Sequence, residues 1–238
     1  MKKVGIIGFG SFGEFLATQL ESFCEIKVYS ASGKTNPWGA SLEEVAQVDY
    51  LIPAIPLDAY ETLLGQIKPF LKPEAVVVDV CSVKEEPLKI IKTVLPDQPV
   101  VATHPLFGPE SAQHSLEGHV LVLCPDRSDP NQLEVIEDFA NGLGLEVIRM
   151  TTQEHDREMA TVHGLTFFIA HALKDIGLHG QKLATPSFKK LLALAELEQN
   201  HSQDLFLTIQ TGNPYTKAIR QEFLEEAIKL NQQIEDNK

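Results

Sequence analysis

The sequence predicts an α/β fold: a doubly wound parallel sheet followed by a smaller all-α domain. Three observations predict it. Residues 1–150 alternate short β-branched runs with segments of helical spacing, the pattern of successive βαβ units. After about Thr151 no convincing strand pattern remains, and apolar residues recur three or four apart. The chain has 238 residues, 43% hydrophobic and 22% charged, enough to bury a sizeable core in one large domain or two modest ones. The expected division is 1–150 for the sheet domain and 151–238 for the helical one.

The first strand is 3–8 (KVGIIG), and 12–20 has helical spacing behind a glycine-rich turn. The second strand is 25–30. Ser41-Leu42-Glu43-Glu44 fits a capping box, a serine N-cap with glutamate three residues on, and starts a short helix. Residues 50–55 read as the third strand, although Pro53 has no N–H to give to a ladder. A helix over 57–70 precedes 75–80 (AVVVDV), an apolar run with one acid, as in a parallel strand covered on both faces. A helix at 84–94, strands at 99–103 and 119–124, a helix at 131–143 and a strand at 145–150 complete the sheet domain. Beyond it, 154–176 reads as one long helix carrying Met159, Val162, Leu165, Ile169, Leu173 and Ile176. Further helices are expected at 186–199, 202–211 and 215–234. So much apolar surface on so small a region predicts packing against a second copy, as a homodimer.

Acids outnumber bases 33 to 20, a formal net charge of −13. A surface this negative repels phosphate backbones and anionic headgroups, so neither nucleic acid nor membrane is an expected partner. The most apolar stretches, such as 164–173, are far shorter than the roughly 20 residues of a membrane span. The apolar run behind Lys2 and Lys3 is broken by glycines and reads as strand, not as a signal peptide. Cys24, Cys81 and Cys124 are widely spaced without a CxxC, so a disulfide framework is not expected and a reducing cytoplasm is the expected location. No histidine pair has HxxxH spacing, and no metal is expected.

Gly8-Phe9-Gly10-Ser11-Phe12-Gly13 is a GxGxxG turn lying between the first strand and its helix, the context of a Rossmann-type dinucleotide site. Gly8 permits the tight turn, Gly10 leaves room for a pyrophosphate, and Gly13 lets the helix lie close on the strand. The helix start offers N–H groups to the phosphates. Phe9, Ser11 and Phe12 complete the expected cradle, with Ile55 and Pro56 from the third strand end and Cys81 from the fourth. An NAD-preferring site carries an acid about 20 residues further on, bonded to the ribose 2′-OH. Here Ser30, Ser32 and Lys34 stand at that strand end without an acid, which suits a 2′-phosphate and favours NADP over NAD. The competing reading makes the serines turn formers and the lysine a solvated charge.

In an open parallel sheet, ligands bind beyond the carboxyl ends of the strands. The fourth strand runs into Cys81-Ser82-Val83-Lys84 and the fifth into His104-Pro105, so Ser82 and His104 are expected to open on one crevice. A histidine there accepts a proton from a hydroxyl while hydride leaves, and its ordinary pKa of about 6.5 suits base work near neutrality. Ser82 orients the imidazole or bonds the substrate. Cys81 reads as packing and not as a nucleophile, because hydride transfer needs no covalent intermediate. Asp156 reads as favourable charge near a helix N-terminus, with His155 toward the domain junction.

GFGSFG at 8–13, DVCSVK at 79–84, THPLFGPES at 103–111 and EHD at 154–156 together resemble the prephenate/arogenate dehydrogenases of tyrosine biosynthesis. The stretch from Lys190 through Asp204-Leu205-Phe206 to Asn213-Pro214 is similar to the short plant arogenate type. The resemblance covers nearly the whole chain and is most specific in DVxSVK and THPxFGPES. It implies oxidative decarboxylation of prephenate or arogenate, with hydride leaving ring C4, CO2 leaving the ring, and aromatisation driving both. The matched His104 would be the base on the C4 hydroxyl, with Ser82 placing both. Many bacterial members hold a substrate carboxylate with an arginine of the helical domain, but none stands between Glu158 and Ile219. His163, where relatives carry an HLPH-like stretch, and His201, where the plant type has DSFDL, are the expected substrate-facing groups; helix packing is the alternative for His163. Two other readings keep the fold. A dehydrogenase of a β-hydroxy acid or an imine is disfavoured because Lys174, near the helix end, is the only lysine on the long helix. A non-catalytic NADP-binding redox sensor is disfavoured because it has no use for His104 and Ser82.

Overall fold

Each β-branched run of the N-terminal half pairs into one sheet in the computed structural model, which describes residues 1–35, 37–125, 128–197 and 201–237. The strands are β1 (Lys3–Ile7), β2 (Glu25–Tyr29), β3 (Tyr50–Pro53), β4 (Val76–Asp79), β5 (Val100–Pro105), β6 (Val120–Cys124) and β7 (Glu146–Arg149). Their order is β2-β1-β3-β4-β5-β6-β7. The helices between them are α1 (Ser11–Leu20), α2 (Leu42–Ala46), α3 (Tyr60–Ile67), α4 (Glu85–Val94) and α5 (Pro130–Gly142). The expected helix at 57–70 is α3 flanked by 3₁₀ turns at Leu57–Ala59 and Lys68–Phe70.

Successive strand residues face opposite sides of a sheet. Leu51 and Val77 pack with Ile7, Tyr60, Leu64 and Ile91 on one side; Ile52, Val76 and Val78 pack with Ile6, Ala17, Leu20 and Leu133 on the other. Burial on both faces explains the unbroken apolar run of β4, and each fully buried aliphatic side chain contributes about 1.5–3 kcal/mol. The chain passes from β1 to β2 on one side and returns to β3 on the other. Ile7 stands level with both Tyr29 and Pro53, so three strand ends meet where the order reverses, the usual ligand position in such sheets. Pro53 is harmless there: it closes β3 beyond the last β3–β4 pair, Leu51 with Val77. The Ser41 capping box forms, with the Glu44 N–H donating to Ser41 Oγ at 3.2 Å and the Ser41 N–H donating to Glu44 Oε2 at 2.8 Å.

One pairing departs from the expected parallel sheet. β6 runs antiparallel to β5, with His104 opposite Val122. No helix joins them; the connecting loop packs Phe107, Ala112 and Leu116 against Phe15, Leu121 and Ala140. A parallel return needs a crossover, and without one the chain simply comes back. The pairing also carries β5 through Pro105, so His104 lies inside a strand and not just past its end.

The chain divides into two compact units, Met1–His155 and Asp156–Lys238. The boundary therefore falls inside α6 (Thr152–Met159) and not between 150 and 151. α6 begins ahead of the expected residue 154 because Thr151 and Glu154 form a second capping box. The Glu154 N–H donates to Thr151 Oγ1 at 3.1 Å, and the Thr151 N–H donates to Glu154 Oε2 at 2.9 Å. The Thr151 N–H and then its hydroxyl, both donating to Glu154 Oε2, hold the Glu154 carboxyl below its ordinary value.

In the second unit the helix continues through a π-type turn, Ala160–Leu165, into α7 (Thr166–Asp175), followed by α8 (Pro186–Leu197), α9 (Gln203–Thr211) and α10 (Thr216–Asp236). The expected helix end at 199 lies outside the described residues. A wide turn rotates the face beyond it. Met159, Ala160, Gly164, Phe167 and Ala170 are buried, while Val162 and Ile176 of the expected stripe are exposed. Gln210 Nε2 donates to the Gly164 carbonyl at 2.8 Å, and Asn213 Nδ2 donates to the Asp156 carbonyl at 2.7 Å, bracing the irregular turn from α9 and the residues after it. Among the described residues no helix is long and apolar enough to cross a membrane.

Candidate active site

At the end of β1 the chain turns at Gly8, whose φ of 104° suits glycine. The Gly8 N–H donates to the Tyr29 carbonyl at 2.8 Å, tying the turn to the end of β2. A Cβ on Gly8 would strike the Ala54 carbonyl oxygen, and one on Gly13 would strike the Gly8 carbonyl oxygen. β1, β3 and α1 therefore meet at a separation that only glycine permits. Gly10 differs, for nothing lies within 4 Å of a Cβ built there. It is also the N-cap of α1 and supplies no side chain to cap the first turn, so the helix-start N–H groups keep their capacity for an anion. This open, uncapped turn fits a pyrophosphate. Ser11 opens α1, Phe12 lies against Phe15, Phe9 meets Trp38 edge-on, and Ile55 crowds Gly8 just ahead of Pro56.

Past β2 the chain turns again. The Gly33 N–H donates to the Ser30 carbonyl at 3.0 Å, and the Ser30 and Ser32 hydroxyls lie 3.0 Å apart. A depression of about 470 Å³ beside this turn is lined by Phe9, Gly33, Lys34, Thr35, Pro37 and Gly39. Lys34 is thus joined by the hydroxyl of Thr35, which the sequence reading does not single out, and these lining residues include no acid.

β4 carries one acid, Asp79, and it is fully buried. An ionised carboxylate is tolerated there only when paired and hydrogen-bonded. Lys84, equally buried, forms an ion pair with it and donates a second bond to the Thr103 carbonyl on β5. Asp79 Oδ1 accepts from the Tyr60 hydroxyl at 2.9 Å and from the Cys81 N–H at 3.1 Å, and the Thr103 hydroxyl donates to the Asp79 carbonyl at 2.8 Å. The segment holding Cys81 and Ser82 is fixed at both ends by this clamp. Burial first, and then the charge of Asp79, push the Cys81 thiol up to about 12 against the opposing pull of Lys84. The Tyr60 phenol is raised well above its ordinary value by the same two causes. Sequence reasoning takes Asp79 and Lys84 as motif letters and does not single out Tyr60; the available signal is a single acid in an otherwise apolar strand.

Ser82 Oγ is buried and has no hydrogen-bond partner among the described residues. Leaving such a hydroxyl unsatisfied costs about 1–3 kcal/mol, which a ligand's polar group would recover. Asp79, the last residue of β4, is level with Ala102, so Ser82 follows the end of β4 while His104 lies toward the end of the neighbouring β5. His104 is 4% exposed. Its Nδ1 lies 2.8 Å from His155 Nε2, with the rings 5.0 Å apart at 70°. His155 is fully buried in the first turn of α6, its N–H donating to the Thr151 carbonyl at 3.0 Å. His155 is the last residue of the first unit, at the junction where it was expected, and it also lies against the proposed base. The signal for it is the Thr-Thr-Gln-Glu capping box at 151–154, which fixes the helical turn that carries it.

His163 and His201 belong to the second unit and bracket the ring of Phe167, with centroid separations of 5.0 and 4.9 Å. His201 Nδ1 is buried with no hydrogen-bond partner among the described residues. Arg220, on α10, donates to Gln210 Oε1 at 2.6 Å and lies over the Phe168 ring. Among the described residues no three His, Cys, Asp or Glu side chains converge as metal ligands.

Residues 33–149 match the family described as "Prephenate dehydrogenase, nucleotide-binding domain". A probable arogenate/prephenate dehydrogenase of Methanocaldococcus jannaschii is 26% identical over 206 residues, which are 82% of this chain and 46% of that protein. The chloroplastic arogenate dehydrogenase 2 of Arabidopsis thaliana is 27% identical over 230 residues, 89% of this chain and 64% of that protein. The chain thus spans less than two thirds of the length of either relative. The solved prephenate dehydrogenase from A. aeolicus, in complex with hydroxyphenyl propionate and NAD+, superposes with a TM-score of 0.74 at 22% identity. That likeness covers 98% of this chain and 90% of that one, and shows the shared fold.

The clamp yields a prediction that needs no relative. Lys84→Met keeps the volume but leaves Asp79 buried without its cation, and unfolding in urea should show a loss of about 3–5 kcal/mol. A loss below about 1 kcal/mol would mean that the pair does not hold the two strand ends.

Proposed function

We propose that the chain is a member of the prephenate/arogenate dehydrogenase family, whose nucleotide-binding domain its residues 33–149 match, and that it catalyses the NADP-dependent oxidative decarboxylation of prephenate or arogenate. The observation that carries this reading is the polar pair on neighbouring strand ends: a buried imidazole at His104 and, at Ser82, a buried hydroxyl without a hydrogen-bond partner among the described residues. A structural turn or a passive nucleotide sensor needs neither.

The residues present fit a dinucleotide. Gly8 to Gly13 would hold its pyrophosphate, with Ile55, Pro56 and Cys81 along the neighbouring strand ends. When bound, the nicotinamide supplies the acceptor for the hydride leaving ring C4. His104 takes the C4 hydroxyl proton, which prevents positive charge from building on that carbon. Ser82 donates or accepts one hydrogen bond and holds the hydroxyl to the imidazole. His163 and His201 remain the proposed substrate-facing residues of the second unit, whose sequence has no arginine between Glu158 and Ile219.

Turnover with prephenate and with arogenate, each with NAD and NADP, tests the activity. His104→Asn keeps a polar atom where Nδ1 faces His155 and removes Nε2. Turnover should fall by on the order of 10² to 10⁴ at unchanged cofactor affinity, and a fall within about threefold removes His104 as the base.

NADP is favoured by Ser30, Ser32, Lys34 and Thr35 around an acid-free turn. Titration should show tighter binding of NADP than of NAD, and Ser30→Asp should reverse the order by repelling the 2′-phosphate and accepting from a free 2′-OH. Equal affinities in the parent chain count against this assignment.

Ile176 (75% exposed), Leu183 (90%), Ile228 (64%) and Leu230 (58%) are exposed apolar side chains of the second unit that a partner subunit would cover. A homodimer formed through this unit is the proposed assembly. Sedimentation velocity at micromolar concentration should give twice the chain mass; a fully active monomer would refute it.

A further inference from the structure

We propose that His155 is a positioning residue that fixes the tautomer of His104. This role presupposes that His104 is the base of the reaction proposed above. Two imidazole nitrogens 2.8 Å apart share one hydrogen, because two N–H groups would repel and so would two lone pairs. The hydrogen therefore belongs to one ring or the other. If His104 Nδ1 carries it, His155 Nε2 accepts, and neutral His104 has its lone pair at Nε2. If His155 Nε2 carries it, neutral His104 must be protonated at Nε2 and has nothing to accept a proton with. Only the first arrangement makes His104 a base. It also improves as the reaction proceeds: once His104 becomes an imidazolium, its bond to His155 is charge-assisted and roughly twice as strong as a neutral one.

The surroundings hold the two rings in this relation. His104 is a strand residue paired with Val122, and His155 is anchored in the first helical turn by the Thr151–Glu154 capping box. Both rings are buried, at 4% and 0% exposure, so bulk water is a poor substitute for either partner. The arrangement is that of a catalytic imidazole and its orienting group, with an imidazole in the place that a carboxylate takes in hydrolytic triads.

Long-range proton–nitrogen NMR of the full chain tests the tautomer directly, with the His104 signals identified by their loss in His104→Asn. Neutral His104 should appear as the Nδ1–H form; the Nε2–H form would overturn the assignment. The kinetic arm uses two variants. In His155→Gln the amide oxygen can accept where Nε2 did, and kcat should stay within about tenfold of the parent. In His155→Leu the acceptor is gone, and kcat should fall by on the order of 10² or more, with KM moving less than about threefold and His104 shifting toward the Nε2–H form. Equal losses in the two variants, or a loss confined to KM, would reduce His155 to packing. If the parent chain turns over neither prephenate nor arogenate, the dehydrogenase reading fails, and the NMR arm still decides the pairing of the two rings.

Discussion

The buried ion pair of Asp79 with Lys84 is the constraint on which the arrangement of the site depends. Removing two charges from water costs several kcal/mol per ion even after the protein relaxes, and a well-packed apolar pair could match its stability. What an apolar pair could not supply is direction. Lys84 bonds both Asp79 on β4 and the Thr103 carbonyl on β5, while Asp79 draws in the Tyr60 hydroxyl from α3 and the Cys81 N–H. Two strands, one helix and the start of α4 are thereby held in a single register. Ser82 lies inside the short loop so closed, and His104 follows directly on Thr103.

The antiparallel return of β6 complements the clamp. A base carried on a loop beyond a parallel sheet would have ladder support on one side only. Here His104 faces Val122 across the β5–β6 pair and is braced by the clamp from the β4 side. The capping box of α6 then brings a second imidazole onto it. Rigid elements on both flanks suit the role of proton acceptor proposed for His104, because proton transfer falls off steeply once geometry loosens by fractions of an ångström.

Much of this was legible in the residues. Local chemistry is written locally: the β-branched runs became the strands, the Ser41 box capped α2, and Gly8 and Gly13 show the close approaches their spacing implied. Strand direction was not legible, because β6 has the same composition whichever way it runs. Only the absence of helical periodicity between 106 and 119 hinted at a return. The π-type turn at Ala160–Leu165 was hidden because its cause lies in tertiary partners, Gln210 donating to the Gly164 carbonyl and Thr216 packing where a side chain on Gly164 would stand. The meeting of His104 with His155 joins residues 51 positions apart, which no pattern of spacing reports. The capping box that positions His155 is nonetheless plain in Thr-Thr-Gln-Glu, and it is the one local signal from which that turn could have been read.

The groups that build the clamp are themselves poorly suited to exchanging a proton near neutrality. Cys81 is adjacent to Ser82, but burial and the charge of Asp79 push its thiol up to about 12, so at neutral pH it is neither thiolate nor proton acceptor. The Tyr60 phenol is likewise raised well above its ordinary value and donates its proton to Asp79. The ammonium of Lys84 is committed to Asp79 and the Thr103 carbonyl, and the carboxylate of Asp79 is committed to Lys84, Tyr60 and Cys81. The same clamp that fixes the geometry therefore silences the groups that build it. An imidazole is the only common side chain whose ordinary pKa, about 6.5, lies near neutrality. The groups of the clamp therefore do not compete with His104 for the role of base proposed for it.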